Sequence, residues 1–328
     1  MHSTTFSGSF VPSDVQFTFR TIDPHAVPVI AGEVDPARFV ESLPDEPEPE
    51  AIVRHLFARS LATQARRVAA AVAVIAAAVA SEMPSVTLVS LARAGIPTGV
   101  LIKRYLEQFF PATQATHYGI GFLRGIGLDL HAMDTIRRTN DPAGIVYVDG
   151  WTGKGATIDE LRASSSAIGI ACRLAVISDP LRAAEFPGTC DDLLVPHALL
   201  NKTVCGLISR PVIRRATDGT RRFAVHHCRD YAHLDDSVRH VDAISAEFQA
   251  PAATGGEKPS PQRDEAPLVA VRAAAAEFTG ARTDHIKAGL AETCRALTRN
   301  RATRILVPAG TPRTTPNFPP WRRGATYP

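Results

Sequence analysis

The 328-residue sequence has few cysteines, few aromatic residues and almost no net charge. Its five cysteines are odd in number and form no C-x-x-C pair, which argues against a disulfide framework and favours a reducing compartment. The formal charge of +3 is too small to predict nucleic-acid binding by the chain as a whole. We therefore expect a cytoplasmic protein whose ligands must be inferred from individual sites.

Targeting and membrane signals are lacking as well. The first residues contain neither the charged region nor the apolar region of a secretory signal. The most apolar run, at 68–80, has about 13 residues, whereas a helix that spans a bilayer needs roughly 18. The run predicts a buried helix, and we expect no membrane partner.

Hydrophobic patterning predicts an α/β fold. Four short, β-branched apolar runs end in small or polar residues and lead towards helical patterns, at 86–104, 116–129, 145–162 and 174–210. Such a repeat predicts a doubly wound, mostly parallel sheet whose loops converge at one edge. The apolar periodicity of 52–80 predicts one long helix or two consecutive helices packed on this core.

The segment IVYVDGWTGKGAT at 145–157 is the central site motif. Its glycines allow the backbone to approach an anion, and the N–H groups and positive dipole end of the following helix favour one. The spacing of the glycines matches neither a P-loop nor the dinucleotide-binding motif G-x-G-x-x-G. The alternative to an anion-binding turn is an ordinary tight turn between a strand and a helix. The candidate residues are Asp149, which would orient a hydroxyl or a magnesium ion, and Thr152, Gly153, Lys154, Gly155, Ala156 and Thr157.

Three other segments carry candidate ligand-binding residues. Arg93, next to the open backbone of Ala94 and Gly95, could pair with a diphosphate through its planar fork, or it could be a solvated loop cation. Arg124 lies in a glycine-broken loop that can move over a ligand. The polar set that includes Asn201 and Arg210 lines the same crevice or caps a helix.

Cys205 is the alternative nucleophile. A cysteine protease needs a thiolate activated by a nearby base, and His197 and His117 are the candidate bases. No local protease signature surrounds Cys205, so a small residue packed in the core is the competing interpretation.

Taken in order, these segments resemble the cysteine protease StiP family, whose N-terminal domain is phosphoribosyltransferase-like and is associated with tellurite-resistance and stress gene clusters. The resemblance covers residues 6–248, and HIKAGLAETCRAL at 285–297 resembles the start of a PELOTA-type RNA-binding domain. The motifs that carry it are GSFVPSDV at 8–15, LVSLARAGIPTGV at 88–100, VDGWTGKGA at 148–156, VCGLISR at 204–210 and the run 223–244.

The resemblance implies a sheet of the type I phosphoribosyltransferase kind that binds phosphoribosyl diphosphate or a related phosphorylated ribose or nucleotide with Mg²⁺. Asp149, Arg93 and Arg124 would then be catalytic, and Asp149 would meet the magnesium through the ligand. Transfer of the phosphoribosyl group to an unknown base is the leading hypothesis. The alternatives are a cysteine protease and a non-catalytic nucleotide-binding module, with RNA binding and a homodimer as further expectations.

The chain departs from the family pattern at specific points. An acidic insert occupies 31–50, and the loop at 124–129 lacks an acid found in relatives. Leu199 stands where relatives have a cysteine, and Asp149 is followed by Gly150 rather than by a second acid.

Composition also predicts the domain limits. We expect a phosphoribosyltransferase-like domain at 1–249 and a linker at 250–267. A small, incomplete α/β PELOTA-like segment at 268–307 and a disordered tail at 308–328 would follow.

Overall fold

A computed structural model describes residues 6–23, 25, 29–30, 43–44, 46–215, 221–251, 266, 269, 273 and 287–299. Most of the acidic insert and of the linker at 250–267 lies outside these residues. The predicted tail at 308–328 lies wholly outside them.

Short strands flank the seven-residue strands of the central sheet. In chain order the strands of the described residues are β1 (Gln16–Phe17), β2 (Arg20–Thr21), β3 (Val29–Ile30), β4 (Leu43–Pro44), β5 (Ser85–Leu91), β6 (Gln114–Ile120), β7 (Phe122–Leu123), β8 (Gly127–Leu128), β9 (Ile145–Trp151), β10 (Leu174–Ser178), β11 (Phe186–Thr189), β12 (Val212–Arg215) and β13 (Arg221–Val225).

The α-helices of the described residues are α1 (Ala51–Glu82), α2 (Gly95–Phe109), α3 (Leu130–Thr139), α4 (Ala156–Ala167), α5 (Ser237–Ser245) and α6 (Leu290–Arg299). Helices α2 and α4 follow strands β5 and β9, as the predicted strand-then-helix pattern requires.

Six strands form one parallel sheet in the order β1-β6-β5-β9-β10-β11. Adjacent residues of β5 face opposite sides: Leu88 joins the core beneath α1 and α2, whereas Val89 joins the core beneath α3 and α4. Helices therefore cover both faces, and strands such as β10 are buried along their whole length. The predicted doubly wound, mostly parallel sheet is confirmed.

Helix α1 is a single helix of 32 residues, longer than the apolar run at 68–80 alone suggested. By length and composition it could cross a membrane, but half of its most apolar window is buried inside the protein. Val68, Val72 and Ile75 are fully buried in the core. The helix packs against α2 and β11, as expected of an apolar helix that covers a sheet.

The N-terminus of α2 is held close to β9. A Cβ atom on Gly95 would lie 2.1 Å from the carbonyl oxygen of Val148, so only glycine permits this approach. Ser90, near the end of β5, donates a hydrogen bond to the Gly95 carbonyl oxygen at 2.9 Å. These contacts fix the turn after β5 beside the end of β9, where Asp149 lies.

Candidate functional site

A cleft of about 430 Å³ lies where β5 and β9 end and α4 begins. Carboxyl ends of parallel strands meet at one edge of a doubly wound sheet, which is where ligands of such folds bind. The predicted site residues that line the cleft are Arg93, Ala94, Arg124, Asp149, Thr152, Gly153, Lys154, Gly155, Ala156, Thr157, Asn201, Cys205 and Arg210.

Gly95 is the predicted site residue that does not line this cleft. It packs against the backbone of β9 instead, so its part is to bring the turn after β5 close to Asp149. Arg124 reaches the cleft from the short hairpin formed by β7 and β8, which corresponds to the glycine-broken loop of the sequence.

Asp149 is half-buried near the end of β9 and accepts a hydrogen bond from the Gly150 amide at 2.8 Å. Burial raises the pKa of Asp149 to about 7. The Gly150 hydrogen bond and the charge of Arg295 lower this pKa, and the charge of Glu292 raises it, but burial has the largest effect. A carboxyl group with this pKa exists in both protonation states near neutral pH, and perturbed carboxyls of this kind concentrate at functional sites.

The turn between β9 and α4 is fixed at both ends. The Thr152 hydroxyl donates to Asp179 at 2.7 Å, and the other carboxylate oxygen of Asp179 accepts from the Ala184 amide at 2.8 Å. Gly155, with a φ of 88°, stands at the N-cap of α4 in the left-handed region that favours glycine. The turn therefore presents its backbone and the N-terminus of a twelve-residue helix to the cleft.

Arg93 and Arg210 are neighbours in the cleft lining. Arg93, which follows a cis peptide bond, is paired with Glu46, whose Oε2 accepts a 2.7 Å hydrogen bond. Burial lowers the pKa of Arg93, but the charge and hydrogen bonds of Glu46 outweigh it and leave the pKa raised. Burial and the neighbouring Arg93 lower the pKa of Arg210 to about 10.

Sequence reasoning missed the contribution of helix α6. Its residues Glu292 and Arg295 line the cleft, together with Lys287 and Ala288 just before it. Ala291, Cys294 and Leu297 on its other face are buried. Their i, i+3, i+6 spacing is a helix-face signal in the sequence, but it does not say which surface that face covers.

Helix α6 is joined to the main body by polar contacts in its N-terminal half. The Leu290 amide donates hydrogen bonds to Oδ1 and Oδ2 of Asp192, at 2.9 and 3.0 Å. Asp192 thus caps the N-terminus of α6 from a distant part of the chain. The Trp151 indole donates to Glu292 at 3.1 Å, and the Arg295 guanidinium lies 5.4 Å from the Trp151 ring centre. The C-terminal segment thus forms one wall of the cleft.

Cys205 lines the cleft although only 2% of the residue is exposed. Its charge interacts with the guanidinium groups of Arg93 and Arg295, so the three side chains are neighbours; burial nevertheless leaves the pKa of Arg295 lowered. Positive neighbours of this kind favour a thiolate. All five cysteines are free, and burial raises the pKa of Cys172, Cys190, Cys228 and Cys294.

Of the two candidate bases, His197 lines the cleft and His117 does not. His117 lies beneath α2, with its ring nitrogens 2.7 Å from the Ser90 hydroxyl and 2.8 Å from the Asp14 carbonyl oxygen. His197 Nδ1 lies 3.2 Å from His240 Nε2, and burial lowers the pKa of His197 to about 3. His197 is therefore neutral at pH 7 and can accept a proton, though it would hold that proton weakly.

The cleft has an excess of positive charge. Six lysine and arginine side chains line it against two carboxylates, and Glu46 behind Arg93 supplies a third. Like charges collected in a cleft raise the local concentration of anionic groups. The fold and this cleft define a doubly wound α/β protein with a cation-lined site at the carboxyl ends of its strands.

Comparison with known proteins gives the family. The family model described as tellurite-like stress resistance cysteine protease StiP matches residues 8–245. The cysteine protease StiP of Acinetobacter baylyi is 30% identical over 321 residues, which cover 90% of this chain and 82% of that protein. The chain belongs to the StiP family, as the sequence motifs predicted. A match to 90% of the chain extends beyond residue 245 into the segment that contains α6.

Proposed function

We propose that this chain is a cysteine protease that uses Cys205 as its nucleophile and acts in the reducing cytoplasm. The observation that carries the proposal is the position of Cys205 in the cleft lining, near Arg93 and Arg295. The matching family and the Acinetobacter relative are both named as cysteine proteases, which supports the proposal.

The chemistry assigned to these residues is acyl transfer. The Cys205 thiolate attacks a substrate carbonyl carbon, the peptide C–N bond breaks, and the amine leaves with a proton while the acyl group stays on sulfur as a thioester. Water then hydrolyses the thioester and restores the thiol. His197, the histidine of the cleft lining, is the group proposed to carry the proton between these steps.

We expect the purified full-length protein to hydrolyse an unfolded protein such as casein. Alkylation with iodoacetamide should abolish this hydrolysis because it blocks the thiol, whereas EDTA should leave it unchanged because the proposed reaction needs no metal. The measurement is release of acid-soluble peptides over time. Hydrolysis that survives alkylation, or that EDTA removes, would contradict the cysteine mechanism.

A second candidate function is binding of phosphoribosyl diphosphate, with or without transfer of the phosphoribosyl group. The observation that favours it is the glycine-rich turn, whose backbone and helix N-terminus face the cation-lined cleft beside Asp149. Within the described residues no three His, Cys, Asp or Glu side chains gather into a metal site. Magnesium would therefore fit here only with the diphosphate oxygens as additional ligands, beside the Asp149 carboxylate.

Calorimetric titration with phosphoribosyl diphosphate and Mg²⁺ tests this second candidate. Affinity should rise between pH 6 and 8, because the pKa of Asp149 is about 7 and the ionised carboxylate is the form that orients hydroxyls and magnesium. Asp149→Asn should weaken binding by about tenfold or more and remove the pH dependence. Asp134→Asn, at a half-exposed ion-paired position on α3 away from the cleft lining, is the control, and equal affinity of both variants would count against the site.

A further inference from the structure

One corner of the cleft already holds a carboxylate that belongs to the chain itself. Glu292 of α6 accepts the Trp151 indole hydrogen bond at 3.1 Å, and a Cβ atom on Gly153 would lie 3.2 Å from Glu292 Cγ. The side chain therefore rests on the glycine-rich turn, at the N-terminal end of α4. A side chain larger than that of glycine at 153 would press on it.

The Glu292 carboxylate is held in this position in spite of repulsion from a neighbouring acidic group, Asp149. Glu292 raises the pKa of Asp149, so the two carboxyl groups repel each other when both are ionised. The contacts that favour the position are the Trp151 N–H and Arg295, whose Nε lies 3.7 Å from Glu292 Oε1. The cations of the cleft lining add to this attraction.

Helix α6 docks on the main body through apolar and polar contacts of the described residues. Ala291, Cys294 and Leu297 are buried, and the Asp192 cap and the Trp151–Glu292 hydrogen bond are among its polar contacts. A ten-residue helix is marginal without tertiary contacts, so its docking can be reversed by a ligand that competes for the same corner.

We propose that Trp151 and Gly153 form a carboxylate-binding subsite for an acidic residue of a polypeptide substrate, and that Glu292 occupies this subsite until the substrate displaces it. This inference rests on the proposed protease function, because it supplies the substrate class of the same cleft. An acidic polypeptide is favoured over a small anion because the group seated here is itself a glutamate on a polypeptide segment. Removal of the Glu292 charge should therefore strengthen binding of acidic peptides.

Binding to a full-length Cys205→Ser protein tests the subsite without turnover. The probes are two fluorescent decapeptides that differ only in a central Glu or Gln, and the readout is fluorescence anisotropy. Glu292→Gln should tighten binding of the Glu peptide by about tenfold, because the internal competitor loses its charge. Trp151→Phe, added to Glu292→Gln, should weaken binding of that peptide by about tenfold, because the indole N–H is lost.

Glu185→Gln makes the same chemical change in a surface ion pair with Arg173 and should leave both affinities unchanged. Equal binding of the two peptides in every background, or weaker binding of the Glu peptide after Glu292→Gln, would overturn the subsite. If Glu292→Gln strengthens inorganic diphosphate binding but not peptide binding, the polypeptide ligand is wrong. If peptide binding follows the prediction but casein is not hydrolysed, the subsite stands and the protease function falls.

Discussion

Proteolysis by the full-length chain is expected to fall at least about 1000-fold when Cys205 is replaced by serine. A serine hydroxyl is a far weaker nucleophile than a thiolate in a site that lacks a strong base. His197, with its pKa lowered to about 3, is too weak a base to deprotonate a hydroxyl, which is a much weaker acid than a thiol. The neighbouring Arg93 and Arg295 stabilise a thiolate by their charge, whereas a neutral hydroxyl gains nothing comparable. The measurement is the rate of casein hydrolysis per mole of folded protein.

The other cysteines provide matched controls. Cys172→Ser changes a thiol that packs against the core beneath α3 and α4. Cys228→Ser changes a second thiol, and burial raises the pKa of Cys228 to about 11. Both should keep activity once corrected for any loss of folded protein, because a protonated thiol is a poor nucleophile. Full activity in Cys205→Ser, or loss only in Cys228→Ser, would assign the nucleophile elsewhere.

Acid is expected to destabilise the fold by a few kcal/mol between pH 7.5 and 4.5. Burial lowers the pKa of His117 to about 4 and that of His197 to about 3, and burial with His197 nearby lowers the pKa of His240 well below its usual range. These imidazoles stay neutral in the folded state, whereas the unfolded state takes up protons below about pH 6.5. The unfolding free energy therefore falls as pH falls, by up to about 1.4 kcal/mol per pH unit for each histidine.

Asp149 acts with the opposite sign. Its pKa is raised to about 7, so the folded state binds the extra proton between about pH 4 and 7 and gains stability as pH falls. His117 and His197, at about 2.7 kcal/mol each, outweigh the roughly 3 kcal/mol of this carboxyl, and His240 adds to the loss of stability. The raised pKa values of the Asp129 and Asp192 carboxyls act in the same sense as that of Asp149 and reduce the loss. Urea unfolding at several pH values would measure it.

His117→Gln should flatten this pH dependence by about 1.4 kcal/mol per pH unit below pH 6.5, even if the variant is less stable at pH 7.5. His131→Gln, at an exposed position on α3, controls for loss of a surface imidazole. An unfolding free energy that does not change between pH 7.5 and 4.5 would show that the buried imidazoles are not held neutral.

Local sequence patterns were enough to predict the sheet and most of the cleft. Apolar runs and helical periodicity are local properties, and β-α-β connections in a parallel sheet place successive turns at one edge. The glycine-rich turn after Asp149 and the turn at Arg93 therefore had to meet. The family could also be predicted from sequence, because its motifs lie in these same turns and are read one segment at a time.

The distant residues that complete the site are brought together by long-range packing. The pairing of Glu46 with Arg93, the His197–His240 contact and the seat of Glu292 against Trp151 join positions far apart in the chain. No local pattern encodes such pairs, because each depends on the path of the whole chain around the sheet. The apolar stripe of α6 showed that this helix must be buried against something. The surface that α6 covers depends on tertiary packing. The helix docks where its three apolar residues are buried and its N-terminus is capped at the same time.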